Sequence, residues 1–223
     1  MSRAGRVTRR DAMRVLAAFG AAGLSGVIRE VLAAGDLPPG LHRLDGRATI
    51  NGRPAQSGAP VSLGDRIVTG PKSQAVVVLK GDAFLLRADT IIEIKGREGV
   101  LTDLLVAGGK VLSVFAKKPV AIKAATASIG IRGTGAYLEV EPESVYFCLC
   151  YGEAVIEGPA MAPKTVITTH HEQPLILTTT TPAMAAQPGP FRNHSDDELV
   201  MLEALVGRVP PFTKDGQYPA KRY

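Results

Sequence analysis

Cys148 and Cys150 stand one residue apart in the run VYFCLCYGEAVIEG, residues 145–158, and are the only two cysteines in the chain. Along a β-strand, side chains at i and i+2 share a face, so the two sulfurs are neighbours and Leu149 points the other way. Two thiolates on one strand face make half of a tetrahedral metal site. Candidates for the other half lie downstream: His170 and His171 in THHEQP, of which a regular strand offers one to a given side, and His194 in FRNHSDDEL. Thiolate and imidazole together suit zinc, copper or iron and not magnesium or calcium. Two other readings stay open. The aromatic and apolar setting YFCLCY suits a pair of inert buried thiols. A disulfide or thiol redox pair is the third, although i and i+2 in an extended strand lie near the upper limit of separation for a relaxed bridge, so such a bond would be strained and easily reduced.

The elements that must position these residues read as β-structure. From His42 to Thr180 the chain is dominated by Val, Ile, Leu and Thr in short runs broken by Gly, Asp, Asn and Pro, and helical periodicity is absent there. Asn51-Gly52 is a strong hairpin signal, Gly64-Asp65 marks a second reversal and Gly81-Asp82 a third, with a polar loop at Arg97–Gly99. The expectation is an all-β sandwich or solenoid of about ten or more short strands. Residues 182–194, PAMAAQPGPFRNH, read as a Pro/Ala-rich connector. A helix is expected over 195–207: Ser195 and Glu198 form a capping box, Asp196 and Asp197 complement the helix dipole, and Leu199, Leu202, Leu205 and Val206 make one apolar stripe that must be buried. Residues 208–223 read as a loose tail.

Residues 1–35 have the layout of an export signal. Arg9-Arg10 followed by Asp11-Ala12-Met13-Arg14 resembles a bacterial twin-arginine leader, and no charge interrupts Val15 to Ile28. That run is too short for a spanning helix, which needs ~20 apolar residues. Small residues permit cleavage after Ala33 or Gly35. The expected product is periplasmic, with no retained membrane span, and its folded domain starts at residue 36. Charge fits this division. The chain has 26 Lys and Arg against 21 Asp and Glu, and the leader takes six arginines and two acids of these, leaving 20 against 19. The high pI therefore belongs to the leader and does not point to nucleic acid.

The run GDRIVTGPKSQAVVVLKGDAFLLRADTIIEI, followed by LLVAGGKVLSVF and TASIGIRGTGAYLEV, resembles the FecR domain. The matching positions are Gly64-Asp65, Thr69-Gly70, Gly81, Gly109-Lys110-Val111 and Gly133-Thr134, over about Leu41 to Glu157 within a β domain expected at 36–181. The resemblance implies a solenoid-like, all-β periplasmic domain of the kind used in transmembrane signalling, where founding members pass a signal from an outer-membrane receptor to a cytoplasmic sigma factor. This chain departs from that design, having no anti-sigma segment before its apolar run. The resemblance thus implies a free-standing exported relative that binds an envelope or periplasmic partner through an exposed face or strand edge.

Enzyme chemistry is not expected. No Gly-X-Ser-X-Gly, Ser-X-X-Lys or His-Glu-X-X-His occurs. Gly130, Gly133 and Gly135 precede a strand and lack the Lys-Ser/Thr of a phosphate loop. Asp45, Asp65 and Asp82 flank glycines, where turn geometry accounts for them. Two functions follow as expectations: a non-enzymatic FecR-like binding module, and a metal-binding or thiol redox protein using Cys148, Cys150 and the histidines.

Overall fold

The computed structural model describes residues 37–125, 127–178 and 184–213. The export leader and the last ten residues of the expected tail lie outside the described residues, as do 179–183 across the end of the expected β domain and the start of the connector. The described chain is β-structure closed by one helix. Its strands are β1 (Gly40–Asp45), β2 (Ala48–Ile50), β3 (Arg53–Pro54), β4 (Arg66–Thr69), β5 (Gln74–Leu79), β6 (Asp82–Leu86), β7 (Ile91–Arg97) and β8 (Val100–Val114). They continue with β9 (Pro119–Ala124), β10 (Ala127–Arg132), β11 (Gly135–Val140), β12 (Ser144–Gly158), β13 (Met161–Thr168), β14 (Leu175–Thr178) and β15 (Ala185–Pro188). The helix is α1 (Asp196–Leu205).

Two sheets arise because β8 and β12, each 15 residues long, belong to both. Sheet A runs β1-β5-β6-β8-β11-β12-β14-β15, and sheet B runs β3-β2-β4-β7-β8-β9-β10-β12-β13. The first half of β8 pairs with β7 and β9, and its second half with β11 and β6. In β12, Val145–Tyr151 pair with β11, and Gly152–Gly158 with β13. A strand that changes sheets must bend, and both bends fall on glycine. Gly109 has φ +87° and Gly152 φ +100°, values that side chains with a Cβ rarely adopt. A Cβ on Gly109 would overlap the Thr90 Cα and lie 2.6 Å from Thr90 Oγ1. Between the bends, β8, β11, β12, β10 and β9 pair in a closed ring.

Burial follows from this topology. One apolar cluster draws on both sheets, among others Val77, Phe84, Phe147 and Leu149 from sheet A and Ile94, Leu104, Ile122 and Ile129 from sheet B, so the sheets face each other. The second face of sheet A carries Val76, Val78, Leu85, Leu112, Val114 and Tyr137, and α1 covers it with Leu199, Leu202 and Leu205. Strands covered on both faces are buried at nearly every position and read as mainly apolar runs, as β5, β6 and β11 do apart from the buried carboxylates of Asp82 and Glu139. Full burial of each leucine of the stripe contributes ~1.5–3 kcal/mol. The expected capping box is present, with Ser195 Oγ accepting from Glu198 N and the Glu198 carboxylate accepting from Ser195 N. No helix among the described residues is long and apolar enough to cross a membrane.

Three details differ from expectation. Ala185–Pro188, inside the stretch read as a connector, pairs with β14 as an added strand; its sequence AAQP has little β-propensity, and tertiary pairing supplies what local preference does not. The stretch read as a loose tail begins docked, because Arg208 pairs with Glu203 and donates to the Gly81 carbonyl, and Phe212 stacks on His170. Asp82 does more than shape a turn: its buried carboxylate accepts from Ala116 N and pairs with Lys118. The open edges are blunted against strand addition. Pro54, Pro163 and Pro188 lie on β3, β13 and β15, while β1 has a register shift and carries Arg43 and Asp45.

Candidate metal centre

Alternation in β12 sends Val145, Phe147 and Leu149 into the core between the sheets and Tyr146, Cys148 and Cys150 toward the helix. Both cysteines are free thiols with no exposed surface. The same cluster therefore meets α1 and the segments on either side of it.

The histidines arrive from two irregular segments. After β13 the chain turns sharply around Glu172, whose carboxylate accepts from the Thr168 and Thr169 hydroxyls and from the Thr169 and His170 backbone N–H groups. These bonds hold the exposed Glu172 carboxyl well below the usual range, at about 2. His171 then takes a left-handed conformation, φ +58°, and its N–H donates to the Cys150 carbonyl at 3.0 Å, which places its ring over the cysteine strand. A non-glycine residue held at positive φ is costly and marks a position fixed by its surroundings. Asn193 is also left-handed, φ +59°, and delivers His194 just before the Ser195 cap. His194 stacks on Tyr137 at 4.4 Å and lies against Phe191.

Four donor atoms converge: Cys148 Sγ, Cys150 Sγ and one ring nitrogen each of His171 and His194, all within 4.8 Å of one another and all on buried residues. Cys148 Sγ lies 3.5 Å from His171 Nδ1, Cys150 Sγ 3.6 Å from His194 Nε2, and the two ring nitrogens 3.3 Å apart. The other nitrogen of each ring is committed elsewhere. His171 Nε2 donates to Asp196 Oδ1 at 3.0 Å, and His194 Nδ1 donates to the Arg192 carbonyl at 2.8 Å. A carboxylate and a carbonyl accept only, so each ring in its neutral form turns its bare nitrogen toward the sulfurs. His170 is not among the four; its Nε2 donates to the same Asp196 oxygen at 2.9 Å.

Electrostatics favours a charged pair here. The Cys150 thiol, then the His171 and His194 rings, stabilise the Cys148 thiolate against the burial that opposes it, bringing its pKa to about 4. Burial and the neighbouring Cys148 push the Cys150 thiol well up. Burial disfavours charge on both His171 and Asp196, but their mutual bond, with Cys148 on one side and His170 on the other, outweighs it: His171 is raised and Asp196 lowered. Such a site can hold one soft or borderline cation. It can equally pair a thiolate with an imidazolium.

A second buried carboxylate props the His194 segment. Glu139 accepts from Tyr137 Oη and Asn193 Nδ2 and pairs with Arg192 at 2.8 Å, and Arg192 lies over the Tyr146 ring. Burial disfavours its charge, but Asn193, Tyr137, Arg192 and Lys110 together hold its pKa below 4.5. A depressed folded pKa stabilises the fold above the unfolded value and loses that contribution as pH falls through the folded one. Glu139→Gln is therefore expected to lower the melting temperature near neutral pH, by an amount that shrinks below about pH 4.5. A gap of constant size down to the acid limit of folding would contradict this role.

The four residues brought together are all among those the sequence singles out, whereas Asp196, which bonds to His171 and His170, is not among its candidate site residues. Asp196 carries a helix-dipole signal, and its contact with two imidazoles depends on how α1 docks. The HSD order of His194, Ser195 and Asp196 is its one local sign: a candidate ligand, a cap and a first-turn acid in succession.

No family model matches the chain, and no curated protein matches it. Among solved structures, two crystal structures of a candidate anti-sigma factor from Parabacteroides distasonis ATCC 8503, at 2.50 Å and 1.65 Å resolution, are similar at 14% identity with TM-scores of 0.47 and 0.46. The overlap covers 55% of this chain, which spans 59% of the length of each of those chains.

Proposed function

We propose that this protein is a non-enzymatic, FecR-like module exported to the bacterial envelope, which acts through its surface on a partner protein and is held together by one transition-metal ion. The observation that carries the metal reading is the convergence of Cys148, Cys150, His171 and His194, with the outward nitrogen of each ring already bonded. Four protein donors fill a tetrahedral ion and leave no position for water or substrate, which is the pattern of structural and not catalytic sites. The FecR-like role is supported by where its motifs fall: before β4, in the β5–β6 turn, at the bend of β8 and between β10 and β11. With prolines along the open edges, a partner would meet a face or a loop.

Produced with its leader and purified untagged from the periplasmic fraction, the protein is expected to carry about one equivalent of zinc, copper or iron. Protein that carries none, takes up none and melts identically with and without chelator would contradict the metal reading. Retention of the full-length chain in the cytosol would contradict the exported one.

A further inference from the structure

We infer that the ion is zinc, bound as a closed mononuclear tetrahedron by Cys148 Sγ, Cys150 Sγ, His171 Nδ1 and His194 Nε2, and that it is the latch fixing the start of α1 to sheet A. This rests on the metal reading above and narrows it to one metal geometry and one controlled element.

Three of the six edges of the donor tetrahedron can be compared with zinc geometry, and the other three lie within 4.8 Å. Zinc takes thiolate at ~2.3 Å and imidazole at ~2.0–2.1 Å, so tetrahedral angles place two nitrogens ~3.3 Å apart and a nitrogen and a sulfur ~3.6 Å apart. The separations are 3.3 Å for His171 to His194, 3.5 Å for Cys148 to His171 and 3.6 Å for Cys150 to His194. Tetrahedral S₂N₂ sets select zinc or iron–sulfur centres, whereas copper(II) prefers tetragonal ones. A two-iron cluster with this donor set puts both imidazoles on one iron and both thiolates on the other. Here each imidazole approaches a different sulfur nearly as closely as it approaches its twin, which leaves room for a single ion.

Two inert thiols explain the site less well. With Nε2 of His171 and Nδ1 of His194 carrying their protons outward, the facing nitrogens present lone pairs to each other at 3.3 Å. Two thiol protons can satisfy one sulfur–nitrogen contact each, but the nitrogen–nitrogen contact is relieved only by a positive charge, either a metal ion or a proton moved from Cys148 to His171, and the proton meets fewer of the four donors. An ion at the centre satisfies all four donors at once.

The latch follows from where the donors originate. Cys148 and Cys150 lie in the middle of sheet A, His171 on the loop after β13, and His194 one residue before the α1 cap. Asp196, the first residue of α1, accepts from both His171 and His170, while its second oxygen is buried without a hydrogen-bond partner among the described residues. Asp196 is a positioning residue: it selects the His171 tautomer and joins the helix start to the ligand shell. The far end of α1 is tied separately, by Glu203 to Tyr151 and Arg208. Removing the ion therefore frees the start of the helix first and uncovers the apolar second face of sheet A.

The test uses the mature chain, zinc-loaded and chelator-stripped. Stripping is expected to speed backbone hydrogen exchange across Asp196–Leu205 by at least ~10-fold while leaving Ile91–Arg97 in β7 unchanged, and zinc is expected to restore protection. Cobalt(II) added to the stripped protein should give the intense ligand-field bands of a tetrahedral ion with thiolate charge transfer, saturating at about one equivalent and displaced by zinc. Asp196→Asn should weaken zinc binding ~10–100-fold and keep the tetrahedral cobalt spectrum. Weak octahedral bands, or no thiolate charge transfer, would overturn the geometry while leaving a metal-holding protein. Equal exchange of α1 with and without zinc would overturn the latch. Absence of any zinc or cobalt uptake would instead defeat the metal reading on which both rest.

Discussion

Cys148→Ser/Cys150→Ser is expected to abolish metal binding and to lower the melting temperature by roughly 10–20 °C. Serine keeps the shape but is a poor ligand for a borderline ion, and two imidazoles alone cannot hold one in a buried site. Structural zinc supplies ~10–16 kcal/mol to small metallo-domains that have little else. This chain has a large apolar core of its own, so only a share of that energy, ~5 kcal/mol, separates the loaded from the empty fold. At ~2–4 °C per kcal/mol for a domain of this size, the stated drop follows. Inert thiols would also suffer from burying serine hydroxyls, by ~1–3 kcal/mol each. Chelator separates the two cases. It should reproduce most of the loss in the natural chain and do nothing to the double variant, whereas inert thiols predict no effect of chelator on either.

The second large effect concerns the frame. Gly109→Val is expected to cost at least ~4 kcal/mol, or to prevent folding, because β8 can change sheets only where the backbone turns to positive φ. A side chain there would run into Thr90 Oγ1 at 2.6 Å and the Asp89 carbonyl oxygen at 2.7 Å, and neither the backbone nor the bond from Thr90 Oγ1 to the Lys110 carbonyl can give way cheaply. Gly130 is the control. It lies inside β10, where an added Cβ would meet only the Val155 carbonyl oxygen at 3.8 Å, and Gly130→Ala is expected to change stability by less than ~1 kcal/mol. Thermal denaturation followed by circular dichroism measures both, and a tolerated Gly109→Val would mean that β8 is not the hinge of the two sheets.

How far the sequence could be read depends on how local each feature is. Period-two alternation in YFCLCY is a property of the backbone alone, so the shared face of Cys148 and Cys150 could be read and is observed. The Ser195–Glu198 capping box spans one helical turn and was equally legible. The choice between His170 and His171 was not. It turns on the left-handed backbone of His171 and on the bonds around Glu172, and an irregular loop has no period to read. Asp196 gains its contacts only when α1 lies on sheet A, a long-range event. Phe212 and β15 are the same kind of case: weak local signals that tertiary packing recruits. The double membership of β8 was half visible, in that Gly108-Gly109 breaks the alternation of LLVAGGKVLSV, but a break does not say which sheet lies beyond it.

X-ray absorption at the metal edge of the untagged protein addresses the centre most directly. Zinc with two sulfurs at ~2.3 Å and two imidazole nitrogens at ~2.0–2.1 Å is the expected first shell. A shell of oxygens and nitrogens lacking sulfur, or protein that binds no metal at all, would contradict it.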